Sequence, residues 1–152
     1  MTDTYYEDLH VGDRFGGTRY AVPADEMLDF SRKWDPRPIH LDEVAARAAG
    51  FDGVIASGAY TTAIFTLLVM QARERAGNHA VIAVLGVKNQ MPNPVRGGDV
   101  LAFDAEIVAK RESRSRPTAG VVTTHGRLTN QHGDVVFDSE TVTLVARRPP
   151  SR

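Results

Sequence analysis

The chain has 152 residues and a mass of 16.6 kDa, enough for one substantial core and too little for two comfortable ones, so a single domain over 1–152 with its core at about 10–147 is expected. With 18 basic against 19 acidic side chains the net charge is −1, which excludes an overall positive field able to hold nucleic acid or an anionic membrane. The absence of cysteine excludes disulfides, thiolate nucleophiles and zinc–thiolate sites, and suits a reducing compartment.

Met1 to Val11 carries acids rather than a basic and then apolar leader, so a protein that is not exported, and is cytoplasmic, is expected. A short strand is predicted around Phe15 to Val22. Pro23 with Asp25 and Glu26 then marks a helix start, placing Met27, Phe30 and Trp34 on one face until Pro36 and Pro38 stop it. Asp42 can cap a second, brief helix through Val44, Ala45 and Ala48, which Gly50 ends. Ser57 to Ala76 reads as the longest helix, apolar nearly all round from Ala59 to Met70 and charged only at Arg73, Glu74 and Arg75. Its apolar stretch is shorter than the roughly 20 residues that cross a bilayer. A helix apolar on every side has to be enclosed.

The hydrophobic period then changes from helical to strand-like. Ala80 to Val87 is a continuous apolar run, predicted to help enclose the helix. Leu101, Phe103, Ala105, Ile107 and Ala109 alternate with Asp104, Glu106 and Lys110, as in a half-buried strand. Gly120 to Thr129 and Val135 to Val145 are rich in valine and threonine, and the loop Asn130 to Asp134 predicts that they pair as a hairpin. The expected architecture is α+β: a long central helix wrapped by an antiparallel β-sheet in the manner of a hot-dog fold. Sheet surface rich in valine and threonine predicts a homodimer or higher homo-oligomer.

Chemistry concentrates in Trp34-Asp35-Pro36-Arg37-Pro38-Ile39-His40. Each proline drives the residue before it out of the helical region, so the loop can turn Asp35 and His40 toward one point although they stand five residues apart. A carboxylate and an imidazole sharing one water form an acid/base pair. A structural role competes, in which Asp35 caps a turn and His40 bonds the backbone. His10, His79, His125 and His132 show no metal-ligand spacing, so no metal is expected.

This segment resembles the signature of (R)-specific enoyl-CoA hydratases and MaoC-like dehydratases, a helix ending in Gly-Asp-x-Asn-Pro-(Leu/Ile)-His before an alanine-rich helix. Phe30, Asp35, Pro38, Ile39, His40 and Ala45 fit it. Phe51 to Gly58 resembles the family's turn into the central helix, and Pro94, Val95, Gly98 and Asp99 its entry into the next strand. Trp34 replaces the family's Gly and Arg37 its Asn.

The resemblance implies that Asp35 and His40 add water to a trans-2-enoyl thioester, giving a (3R)-3-hydroxyacyl thioester, or run the reverse dehydration. It also implies that Gly58 and Ser57 bind substrate at the start of the central helix, where free backbone N–H groups would meet the thioester oxygen. Thr61, Thr62 and Thr66 are candidates for the acyl tunnel, or for ordinary bonds back to helix carbonyls. Lys110, Arg111, Arg114, Arg116, Arg147 and Arg148 are local positive charge that could meet coenzyme A phosphates or simply be solvated, and none is assigned to the site. Coenzyme A arrives as part of the substrate and no separate cofactor is required. Two other readings remain: a hot-dog acyl-CoA thioesterase, disfavoured because the central helix has no acid before Glu74, and a non-catalytic acyl-thioester binding subunit.

Overall fold

The computed structural model describes residues 3–150. Five strands form one antiparallel sheet in the order β1-β3-β4-β5-β2, with β1 at Arg14–Ala21, β2 at Val81–Gln90, β3 at Val100–Glu112, β4 at Ala119–Thr129 and β5 at Val135–Ala146. Three helices lie between β1 and β2 in the chain: α1 (Ala24–Trp34), α2 (Glu43–Ala48) and α3 (Gly58–Ala76). The sheet wraps α3, so this is the α+β hot-dog architecture that the hydrophobic periods predict.

β3 buries Leu101, Phe103, Ala105 and Ile107, and the alternation stops at Ala109 because the register with β4 shifts between Ile107 and Ala109. The hairpin β4–β5 closes through Asn130–Asp134, with Gly133 at φ 83° and the Asn130 N–H on the Asp134 carbonyl at 3.0 Å. β1 bends where Gly16 and Thr18 slip in register against β3, and a Cβ on Gly16 would stand 2.6 Å from the Phe103 carbonyl oxygen. Buried Thr18, beside that bulge, donates its hydroxyl to the Leu68 carbonyl at 2.9 Å and so ties the sheet to α3.

The core departs from expectation in one respect. α3 buries a single stripe, Tyr60, Thr61, Ile64, Leu68 and Ala72, at the spacing of one helix face. That stripe packs on Leu101, Phe103, Leu128, Val136 and Phe137 of the sheet. Leu67 and Met70, on another side of the same helix, remain 42% and 46% exposed. One chain's sheet has one concave face and cannot enclose the whole helix. The apolar run in β2 does not close the gap, because β2 is an edge strand whose Ile82, Val84, Leu85 and Val87 are themselves exposed. No helix among the described residues is long and apolar enough to cross a membrane.

Candidate active site

The site begins where α1 stops. Asp35 precedes Pro36 and takes φ −153°, ψ 72°, while its N–H still bonds the Ser31 carbonyl as the helix's last hydrogen bond, at 3.0 Å. Arg37, before Pro38, is likewise extended, at φ −69°, ψ 142°. Pro38 then opens a single 3₁₀ turn, Pro38–His40, in a position where its missing N–H costs nothing. This path brings Asp35 Oδ2 to 3.4 Å from His40 Nε2. Trp34, expected beside Met27 and Phe30, is instead 66% exposed under the Lys33 ammonium; the core admits Met27 and Phe30 but ends before the last turn of α1.

His40 is buried, and its Nδ1 lies 2.9 Å from the Ile55 carbonyl oxygen. A carbonyl only accepts, so Nδ1 carries a proton, and in the neutral form of the ring the lone pair is on Nε2. Nε2 is shut from solvent with no hydrogen-bond partner among the described residues. The Ile55 carbonyl is itself fixed, because the Ile55 N–H reaches the Ile39 carbonyl at 3.3 Å and the next residue, Ala56, reaches Val95 at 2.7 Å.

Asp35 accepts three donors. Arg37 grips it with a fork, Nε to Oδ1 at 2.7 Å and Nη2 to Oδ2 at 2.6 Å, and the Ser57 hydroxyl donates to Oδ2 at 2.7 Å. The guanidinium fork first, and the Ser57 hydroxyl second, hold the Asp35 carboxyl well below the usual carboxylate range against the opposing effect of burial. Ser57 also accepts the Ala59 N–H at 3.2 Å, so one buried hydroxyl both caps α3 and steadies Asp35. A second brace acts on the helix that carries Asp35: Glu26 of α1 accepts the Tyr60 hydroxyl at 2.7 Å and the Tyr20 hydroxyl at 2.5 Å on the same oxygen. Burial and the Glu26 carboxylate push the Tyr60 hydroxyl far above its ordinary range, so it stays a donor.

Of the residues singled out in the sequence, Asp35, His40 and Ser57 meet directly. Gly58 opens α3 next to them, and a Cβ placed on it would meet Met91 Sδ at 2.7 Å, so the Met91 thioether covers this backbone. Thr61, Thr62 and Thr66 all bond back to helix carbonyls, yet Thr62 and Thr66 also line a cavity between α3 and the sheet. Of the basic residues, Arg147 pairs with Glu112 and Arg148 with Asp8, both at 2.6 Å, and Lys110 donates to the Leu9 carbonyl. The sequence did not reveal the Ile55 carbonyl, Met91 or the Glu26 brace. Each comes from a distant segment and bears no local signal.

Comparison with known proteins bears on what such a hot-dog domain, with an acid and an imidazole at the mouth of its central helix, belongs to. The profile of the MaoC like domain matches residues 11–129, and the chain belongs to this family. It is 38% identical to a solved MaoC-like dehydratase from Rhodospirillum rubrum, with a TM-score of 0.86 over 97% of this chain and 99% of that one. A monoamine oxidase regulatory protein from Archaeoglobus fulgius is 28% identical, with a TM-score of 0.87 over 97% of each chain. The uncharacterized protein YdeM of Bacillus subtilis is 28% identical over 144 residues, 93% of this chain and 98% of its own length.

Proposed function

We propose that the chain is a hydro-lyase that adds water to a trans-2-enoyl-CoA to give a (3R)-3-hydroxyacyl-CoA, or runs the reverse dehydration, as a cytoplasmic homodimer. Membership of the MaoC-like family supports hydratase or dehydratase chemistry in general. The observation that carries the finer reading is the unpartnered, buried His40 Nε2 facing Asp35 Oδ2 at 3.4 Å. Two lone-pair acceptors at that separation repel unless hydrogen lies between them, and a substrate water donating to both relieves the conflict.

The roles then divide by basicity. Asp35, engaged by Arg37 and Ser57, is too weak a base to take a proton and too acidic to hold one, so it orients the water and stabilises the imidazolium. His40 Nε2 takes the proton as the water oxygen bonds C3, and the electron pair of the C2–C3 double bond moves into the thioester as an enolate. Nε2 then returns that proton to C2, so one group serves a single face. The enolate oxygen is assigned to the Gly58 N–H at the positive end of α3. No metal or separate cofactor is part of this scheme.

The test is loss of enoyl absorbance with crotonyl-CoA and a longer trans-2-enoyl-CoA, beside a thiol-release assay and chiral analysis of the product. Absorbance loss with (3R) product and no thiol is the expected result; thiol release would replace hydration with thioester hydrolysis. The Arg37 fork on both Asp35 oxygens favours one other reading, an acyl-thioester binding subunit. Tight acyl-CoA binding with no turnover would select it.

A further inference from the structure

Arg73 stands fifteen residues beyond Gly58 on α3, about 22 Å along the axis at 1.5 Å per residue. It lines a cavity of about 220 Å³ between α3 and the sheet. Thr62, Phe65, Thr66, Val69 and Met70 line the same cavity at helical spacing, so it follows α3 from the first turn past Gly58 to Arg73. Helical side chains lean toward the N-terminus, the end of α3 that carries Gly58.

The cavity is apolar in function although hydroxyls line it. Thr62 donates to the Gly58 carbonyl, Thr66 to the Thr62 carbonyl, Thr143 to the Val122 carbonyl and Ser139 to Asn89 Oδ1, while Phe15, Phe65, Val69 and Phe103 supply most of the apolar wall. Against that wall Arg73 is a half-buried cation with no ion pair among the described residues, and its Nε is shut from solvent without a hydrogen-bond partner. Burial alone pushes its guanidinium below the usual range, with no carboxylate acting on it. Its titratable neighbour His79 is pushed down to about 4 by burial and by the charge of Arg73, and so is neutral at neutral pH. Asp13, which acts on His79, holds the His10 backbone N–H at 2.7 Å and the His10 ring at 3.6 Å. A partly desolvated cation of this kind is stabilised when an anion arrives to meet it.

We infer that Arg73 receives a carboxylate at the far end of the acyl chain, so that the site takes half-thioesters of dicarboxylic acids in preference to methyl-terminated enoyl thioesters. This rests on the hydro-lyase reading for the thioester end of the substrate, whereas the carboxylate pocket can be tested without it. A narrow cavity, below the roughly 300–1,000 Å³ of ordinary ligand clefts, suits an alkyl chain rather than a ring system. A guanidinium fork suits a planar carboxylate.

The first arm measures binding of octanoate and octan-1-ol to the full chain by calorimetry. Wild type is expected to prefer octanoate at least ten-fold, and Arg73→Gln to bring the two within about two-fold. Equal affinities in wild type overturn the pocket whatever the variant does, and so does a preference that survives Arg73→Gln. The second arm compares kcat/KM for trans-2-octenoyl-CoA and for the coenzyme A half-thioester of trans-2-octenedioic acid. The ratio favours the dicarboxylic substrate in wild type and falls at least ten-fold in Arg73→Gln. Turnover of both substrates with no such preference sinks the pocket and keeps the hydro-lyase. Arg73-dependent octanoate binding without turnover of either substrate sinks the hydro-lyase and keeps the pocket.

Discussion

A carboxylate that accepts a guanidinium fork and a hydroxyl has given up most of its basicity, and this decides how the proposed pair divides its work. If Asp35 orients water and His40 moves the proton, Asp35→Asn and His40→Gln each leave a folded chain with turnover down by on the order of 10²–10⁴. Near-normal enoyl-CoA turnover in either variant, with an unchanged circular dichroism spectrum, would remove that residue from the mechanism. Arg37 can be tested through stability. The folded-state pKa of Asp35 lies below the value near 3.8 of the free side chain, so its contribution is present above that pH and is lost as pH falls through the folded value. Removing the largest cause of the depression, in Arg37→Ala, brings that loss to a higher pH. Melting temperatures from pH 7 to pH 2 should show wild type above the variant, with a gap that is steady down to about the free carboxyl's range and shrinks as pH falls through the variant's folded value. A gap that does not change with pH would mean that Arg37 acts through something other than Asp35.

At the scale of elements, one hydroxyl joins helix formation to the site. Ser57 caps α3 and holds Asp35 Oδ2, so Ser57→Ala costs about 1 kcal/mol for the cap, about 2–4 °C of melting temperature in a domain of this size, and lowers turnover as well. Stability lost with turnover unchanged would reduce Ser57 to a cap. The element itself was readable: α3 spans Gly58–Ala76 where the sequence predicts Ser57 to Ala76, and the β4–β5 hairpin turns on its predicted loop. Local chemistry sets these features, through a capping serine, a glycine at positive φ and strict alternation. The convergence of Asp35 and His40 was readable for the same reason, since Pro36 and Pro38 act on their immediate neighbours. What lines the site was not readable. The Ile55 carbonyl reaches His40 across 15 residues and Tyr60 reaches Glu26 across 34, distances at which no sequence period carries information. The enclosure of α3 was misread because apolar periodicity reports that a face is covered without saying by which chain.

That last point concerns the whole molecule. Among the described residues β2 hydrogen-bonds β5 along one side only, and its other side presents a row of unpaired backbone groups beside Val84 and Val87, 59% and 61% exposed. The exposed Leu67 and Met70 of α3, with Met91 just past β2, add to the apolar surface the chain leaves open. β1, the opposite edge, is protected differently: the Gly16/Thr18 bulge interrupts it, and Arg14 and Arg19 lie along it. A second copy, adding β2 to β2 across a two-fold axis, would pair the free backbone row, cover both apolar faces and close the open side of the Arg73 cavity, which Val84 and Val87 line. Val84→Asp combined with Val87→Asp places two charges in that junction without touching the core of either chain. Analytical ultracentrifugation should find wild type at twice 16.6 kDa and the double variant at 16.6 kDa, with its strand signal in circular dichroism intact. Wild type sedimenting as a single chain would assign this face to a different partner. It would also leave the acyl cavity open on one side, where water could reach a substrate that the proposed chemistry needs enclosed.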